Sequence, residues 1–300
     1  MARTLTPERQ KLKQDAIRLR RELGWSERRI ARHLTIDYRT IHRWLPHNGR
    51  HNMPHILPLN HVHIMDCLQG MGKLPHDYID LVFTDPPYNL GVDYGNNTFL
   101  DRNDAYYDWC FEWFRGIERI LKPGGSFYLL HYPEYCACLF PRLRAAGFKF
   151  QRWLVWHYPI MIGQSTENWT RSHRAILFLT KGNRPAYFNG LADPQPYRNP
   201  NDKRIQERMK VSPGATPYDV WEYNIVKNVS KEKTSWPNQI PVRLIERIIK
   251  TSCPESGIVC DPFMGSGSTA VAAAKNNRDW IGFDITGESK SITEKRIGEL

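Results

Sequence analysis

Between His61 and Ile285 short apolar runs alternate with longer stretches whose apolar residues recur every three or four positions. The runs "HVHIMDCL" (61–68), "YIDLVFTD" (78–85), "GGSFYLLH" (124–131), "FQRWLVWHY" (150–158) and "RAILFLT" (174–180) are strand-like, while "WCFEWFRGIERIL" (109–121) has helical spacing. A strand over Ile258 to Cys260, an Ala-rich helix starting at Ser268 and a strand over Trp280 to Phe283 continue the alternation. That order predicts an α/β domain with a mostly parallel sheet and helices on both faces. Segment 183–235 breaks the rhythm: it is polar, rich in Pro, Asn and Lys/Arg, and carries Tyr187, Tyr197, Tyr218 and Tyr223. Stretches of such length without periodicity are usually functional in a compact enzyme.

The amino-terminal pattern differs. Thr6 before Pro7 predicts an N-cap and first helical position, with a helix running to Leu23 and ended by Gly24. Ser26 then caps a second helix through Leu34, and Asp37 caps a third from Tyr38 to Leu45. Two short helices joined by a tight turn behind a supporting helix predict a small all-α module resembling a helix-turn-helix. Residues 1–50 hold 13 Lys or Arg against five acids, +8 of the chain's net +11. A basic module of this kind binds a polyanion by releasing condensed counterions. On that reading Arg39, Thr40, His42 and Arg43 face the major groove of double-stranded DNA, with Ile41, Trp44 and Leu45 turned inward. The other reading is a basic appendage that packs without touching DNA. The expected division is a module over 1–46, a Pro-, His- and Asn-rich linker over 47–60 and a main domain over 61–300.

Composition narrows the class. A 41% apolar and 12% aromatic chain is globular rather than disordered. Its six cysteines are scattered without CxxC spacing, against a disulfide framework or a metal site, which points to reduced thiols. The sequence shows no apolar leader and no run approaching the roughly 18 residues of a membrane span, so the expected location is the cytoplasm, without a membrane partner.

Two stretches carry chemistry. In "FTDPPYNLG" (83–91) paired prolines end an apolar strand where open α/β sheets place their ligands. In "GIVCDPFMGSGSTAVAAAKNNRDWIGFDI" (257–285) a strand meets a Gly-rich turn, a helix and a second strand ending on Asp284, a βαβ unit suited to a nucleoside. By itself the second leaves a nicotinamide or flavin enzyme open, because Gly265, Gly267 and Ala270 satisfy the G-x-G-x-x-G/A pattern.

Together the two stretches resemble the amino-methyltransferases of DNA in their permuted, β-class arrangement. There DPPY stands first, a target-recognition region follows, and the S-adenosylmethionine-binding "DPFMGSGST" comes near the carboxyl end. The likeness covers about Ile64 to Ile285, includes the "LKPGG" turn (121–125), and implies a Rossmann-like methyltransferase fold. It implies that the Asp85 carboxylate and Pro86 carbonyl each accept an N–H bond from the target amine, drawing its lone pair out of the ring towards the donor methyl. It makes Tyr88 the aromatic face for a base rotated out of the duplex. It assigns the methionine and ribose of the donor to the turn from Asp261 through Phe263, Gly265, Ser266 and Gly267 to Ser268, and the ribose hydroxyls to Asp284. Asp66 and Cys67 match the position beside the donor's adenine, with Met65 where glycine is usual, and Asp85 borders the same site. In "WPNQIP" (236–241) Trp236 and Ile240 stand where the family has His and Lys, leaving Asn238 and Gln239 to line the cofactor site.

Within the family DPPY leans to adenine N6 and SPPY to cytosine N4, so N6 methylation of adenine is expected, with N4-cytosine the alternative. Cytosine C5 chemistry needs a Pro-Cys nucleophile, and no Pro-Cys dipeptide occurs. Segment 183–235 is expected to read sequence, with Arg184, Arg198, Lys203, Arg204, Arg208 and Lys210 as candidate contacts. A cognate restriction endonuclease is a partner the resemblance allows. The rival readings are an inactive DNA-binding regulator on the same fold, a nicotinamide-dependent oxidoreductase, and an enzyme acting on RNA.

Overall fold

A computed structural model describes residues 6–23, 27–37, 40–41, 44, 57–88, 104–159 and 166–300. The main domain is built on one eight-stranded sheet in the order β1-β8-β7-β2-β3-β5-β4-β6. Its strands are β1 (His61–Ile64), β2 (Ile79–Thr84), β3 (Leu121–His131), β4 (Phe148–His157), β5 (His173–Lys181), β6 (Val220–Glu222), β7 (Ile258–Asp261) and β8 (Asp279–Asp284). All neighbours run parallel except β5, which is antiparallel to both β3 and β4.

Alternation along the central strands explains the layers. In β2, Val82 packs with one buried cluster and Leu81 and Phe83 with the other, as the period of two in a strand requires. The first face is covered by α3 (Cys67–Gly72), α4 (Asp104–Ile120) and α5 (Pro133–Ala145). On α4, Tyr106, Cys110, Trp113, Phe114, Ile117 and Ile120 are all buried, at the spacing of a single helical stripe. The second face is covered by α7 (Val242–Ser252) and α8 (Ser268–Lys275), whose Leu244, Ile245, Ile248 and Ala270 meet Leu81, Phe83 and Val259. Helix α9 (Gly287–Gly298) closes the chain.

The strand order places the site. From β7 the chain passes through α8 to β8 on one side; from β2 it passes through α4 to β3 on the other. Strands β2 and β7 are therefore the point where winding reverses, and they pair directly, Leu81 with Val259 and Val82 with Cys260. A crevice outside the carboxyl ends of two such strands is where open sheets bind ligands.

Two expectations change. The "LKPGG" stretch is not a free turn but the start of β3: the register moves from Ile79–Leu121 to Leu81–Ser126, so the extra residues bulge within the strand. Segment 183–235 is not devoid of regular structure: it holds α6 (Lys203–Met209) and β6, which extends the sheet beside β4. It is anchored to α7 by Asp193, which accepts bonds from Arg243 at 2.7 Å and Arg247 at 2.6 Å.

At the amino terminus α1 (Pro7–Leu23) opens where Thr6 accepts the Arg9 amide at 3.4 Å, and α2 spans Glu27–His33. The amides of Thr40 and Ile41 both bond to the Asp37 carbonyl. Ala16, Leu19, Ile30, Ala31 and Ile41 form a small buried cluster with Leu34, Ile36 and Trp44 packed against it. Of the predicted groove-facing residues, Thr40 is half-buried; Arg39, His42 and Arg43 lie outside the described residues, as does Leu45.

Candidate active site

The Asp85–Tyr88 turn leaves the end of β2, and the Asp261–Ser268 turn leaves the end of β7 beside it. One cleft is lined by Asp85, Trp236, Asn238, Ile240, Asp261, Phe263, Gly265, Ser266, Ser268 and Thr269. The sheet thus joins two motifs far apart in sequence. A larger cavity of ≈ 540 Å³ lies on the α7 face under the insertion, among Tyr128, Phe178, Phe188 and Trp221, away from these carboxylates. Size does not mark the chemistry here; the converging charged groups do.

Each wall has a local cause. Gly265 has φ +51, and a Cβ there would stand 2.8 Å from Trp236 Nε1, so the chain passes directly beneath the indole. Phe263 is held by Trp109 and Trp113 at ring distances of 5.4 and 5.3 Å. Asp261 accepts the Phe263 amide at 3.0 Å and the Thr269 hydroxyl at 2.5 Å. Asp284 fastens the turn from below: Oδ2 accepts the Gly265 amide at 2.9 Å, and Oδ1 accepts both the amide and hydroxyl of Thr286.

Other predicted cofactor residues stand behind the lining rather than in it. Gly267, at φ +75, begins α8 and packs on Thr293. Gln239 is spent on the loop before α7, bonding Thr234 and the Glu232 carbonyl. Asp66 caps α3 through the amides of Leu68 and Gln69, and Cys67 is buried in the core of the first face. Burial, with the charge of Asp66 added, pushes the Cys67 thiol far above its ordinary range, so it is an inert apolar wall. Ile240, in the place of the family's lysine, is buried and gives its carbonyl to Ser268 at 2.7 Å.

At the acceptor end the structure adds residues that sequence did not single out. Tyr88 is 3% exposed, its hydroxyl donates to Asp85, and its ring edge meets His131 at 5.2 Å. It therefore does not stand free as a stacking face. Arg174, from β5, covers the Tyr88 ring at 4.6 Å and Tyr132 at 4.9 Å, donates to the Tyr88 hydroxyl, and lies 3.9 Å from Asp85 Oδ2. His131 Nδ1 accepts the Tyr132 amide at 2.8 Å, so the proton sits on Nε2 and is donated to the Tyr106 oxygen at 3.0 Å. Tyr106 in turn donates to the Pro87 carbonyl at 2.8 Å. Burial, helped by Arg174, lowers the His131 pKa to about 3, which keeps this relay neutral.

The electrostatics have one sign. Burial raises Asp85 to about 6, against the pull of Arg174 and the Tyr88 bond. Burial raises Asp261 to about 8, and the charges of Asp85 and Asp284 add to it despite the bonds from Thr269 and Phe263. Asp85 and Asp261 thus both line the cleft, with Asp284 behind its turn. The donor set suits a cationic small molecule, as S-adenosylmethionine with its sulfonium is, and opposes a dinucleotide, whose pyrophosphate would meet the same carboxylates.

A family profile described as DNA methylase, of the N6/N4 type, matches residues 79–295, and one described as a homeodomain-like domain matches residues 7–50. The chain is 34% identical over 236 residues to type II methyltransferase M.HpaI of Haemophilus parainfluenzae, covering 77% of this chain and 72% of that one. It is 29% identical over 237 residues to the DNA adenine methyltransferase YhdJ of Escherichia coli K12, covering 77% and 80%. Among solved structures, the cytosine-N4-specific PvuII DNA methyltransferase superposes with a TM-score of 0.63 at 19% identity, over 78% of this chain and 85% of that one.

Proposed function

Since the chain belongs to the N6/N4 family of DNA methylases, we propose that it moves a methyl group from S-adenosylmethionine to the N6 amine of an adenine rotated out of duplex DNA. The observation that carries this is the direct pairing of β2 with β7, which brings Asp85 into one cleft with the Asp261–Ser268 turn. When bound, the donor supplies a methyl group activated by a sulfonium. Asp261, Phe263, Gly265, Ser266, Ser268 and Asn238 hold it, with Asp284 fixing the turn. Asp85 and the Pro86 carbonyl accept the two amine hydrogens, and the pyramidal nitrogen then presents its lone pair to the methyl. Pro86 and Pro87 have fixed φ, and Tyr106 tethers the Pro87 carbonyl, so the acceptors are set before the target arrives. Once methylated the nitrogen is cationic, and Asp85 takes its proton. Tyr88, covered by Arg174 and edged by His131, holds Asp85 through its hydroxyl.

Adenine is favoured by the aspartate of DPPY and by the name of the YhdJ relative. Segment 183–235 reads sequence in this proposal, with α6 its exposed basic element: none of its residues is buried. The amino-terminal module supplies further DNA contact, and a restriction endonuclease of matching specificity is the natural partner of an enzyme similar to M.HpaI. The test incubates the protein and an Asp85→Ala variant with unmethylated duplex DNA and methyl-labelled donor, followed by digestion to nucleosides. The expected product is N6-methyladenine from the parent alone. Label in N4-methylcytosine would move the target to cytosine; equal label from both proteins would remove Asp85 from the chemistry.

A further inference from the structure

Arg174 poses a physical problem. A cleft that receives a cationic donor and creates a cationic amine gains nothing from a guanidinium beside it, yet this one is 11% exposed and lies against the catalytic carboxylate. Its position follows from the one antiparallel strand: β5 enters the sheet at the edge where the parallel strands leave it, with Arg174 paired to Trp156 and its neighbour Ala175 to His131. From there it reaches across β3 to Asp85. It is caged by Tyr88, Tyr132 and Trp156, at 4.6, 4.9 and 5.9 Å from the ring centres.

We propose that Arg174 is a positioning residue for methyl transfer: it keeps the Asp85 carboxylate ionised and aimed, and braces Tyr88 as a hydrogen-bond donor to that carboxylate, without contacting the reacting atoms. This rests on the methyltransferase reading above. The groups facing Asp85 leave that task to Arg174. Asp261, from β7, keeps its own proton up to about 8 and supplies no cation; His131, from β3, is neutral; Tyr88, from its own turn, donates one bond; Tyr158, at the end of β4, lies beyond the guanidinium. An aspartate that loses its cation in such a place holds its proton and ceases to be an acceptor. The planar guanidinium also serves the second task, stacking on two rings at once as an ammonium does not.

The experiment compares the parent with Arg174→Met and Arg174→Lys. It measures methyl incorporation into unmethylated phage DNA at saturating donor and DNA from pH 5.5 to 9.5, with thermal melts and donor affinity recorded for each. In Arg174→Met the acidic limb is expected to move up by at least one pH unit. The variant then falls short of the parent by about twofold or more at pH 7, nearing tenfold at the acid end of the range, and recovers as pH rises. Donor affinity stays within about threefold, since Arg174 does not line the donor cleft. Arg174→Lys restores the limb with the charge but not the full plateau, because Tyr88 loses its cover. A limb in Arg174→Met that coincides with the parent's, whatever its height, overturns the proposal. A parent that methylates no DNA at any pH instead defeats the reading on which it rests.

Discussion

Replacing Asp261 with asparagine tests the acidic cleft most directly. The carboxyl group is 4% exposed and held at about 8, against 3.8 for an ordinary aspartate. Between those values the unfolded chain has released a proton that the native protein keeps. Stability from this group is therefore complete below the ordinary value, declines as pH rises, and levels off above the native value. At pH 7 the accumulated loss is about 4 kcal/mol, from ~1.4 kcal/mol per unit. Asparagine keeps the acceptor for the Phe263 amide, and the Thr269 hydroxyl can rotate to suit an amide. It cannot ionise, so the variant escapes the decline. At 2–4 °C per kcal/mol for a domain of this size, its melting temperature should gain roughly 8–16 °C on the parent between pH 4 and pH 7. A cationic donor reverses the advantage: it draws the proton from Asp261, so binding to the parent at pH 7 releases protons and binding to the variant releases fewer, more weakly. Melts across pH, and calorimetry in buffers of different ionisation enthalpy, measure both. Identical pH dependence of the two melts, or equal proton release, would refute the reasoning.

Three further outcomes follow from the same geometry. Gly265→Ala places a side chain at φ +51 and 2.8 Å from the Trp236 nitrogen, so backbone strain of about 1–2 kcal/mol and a displaced indole should weaken donor binding about tenfold or more, seen by equilibrium dialysis. Tyr106→Phe frees the Pro87 carbonyl and leaves the His131 Nε2 proton unpaired in the core, which should cost about 1–3 kcal/mol in a thermal melt and lower kcat more than it raises KM. Arg247→Met removes a partner from buried Asp193 and should cost about 3 kcal/mol locally, visible as faster proteolytic cleavage within 183–235 before the core unfolds.

How far the sequence could be read depended on which residues act locally. β2, α4, β7 and β8 were legible because each carries its own apolar period, and the two turns because their prolines and glycines constrain the backbone whatever surrounds them. Thr6 announced α1 in the same way. What escaped was set by direction and packing. Arg174 opens an apolar strand and looks like a solvated flank; only the antiparallel course of β5 brings it to the catalytic edge. His131 and Tyr106 share no local pattern, since they meet only when β3 and α4 pack together. Asp284 was singled out as a ligand for ribose; its bonds to Gly265 and Thr286 show that it builds the turn. Tyr88 was found as an aromatic face, whereas the fold makes it a hydrogen-bond donor to Asp85.

The Asp85 and Asp261 walls rise from adjacent central strands buried on both faces, so their spacing is fixed by the β2–β7 register. The segments proposed to meet DNA leave elsewhere. The connection between β4 and β5 emerges at the same carboxyl edge as Asp85, between His157 and His173, and exposes Trp169 at 93%. Segment 183–235 leaves from the far end of β5 and is tied to the sheet through β6 at its margin and the Ala186 amide on the Gly124 carbonyl, and to α7 through Asp193. Among the described residues, neither supplies a cleft residue before Trp236. Substitutions that alter what is recognised can therefore accumulate in these segments without moving Asp85 relative to Asp261. By the same geometry, a change in β2 or β7 that shifts that strand by one residue would turn its own carboxylate out of the cleft.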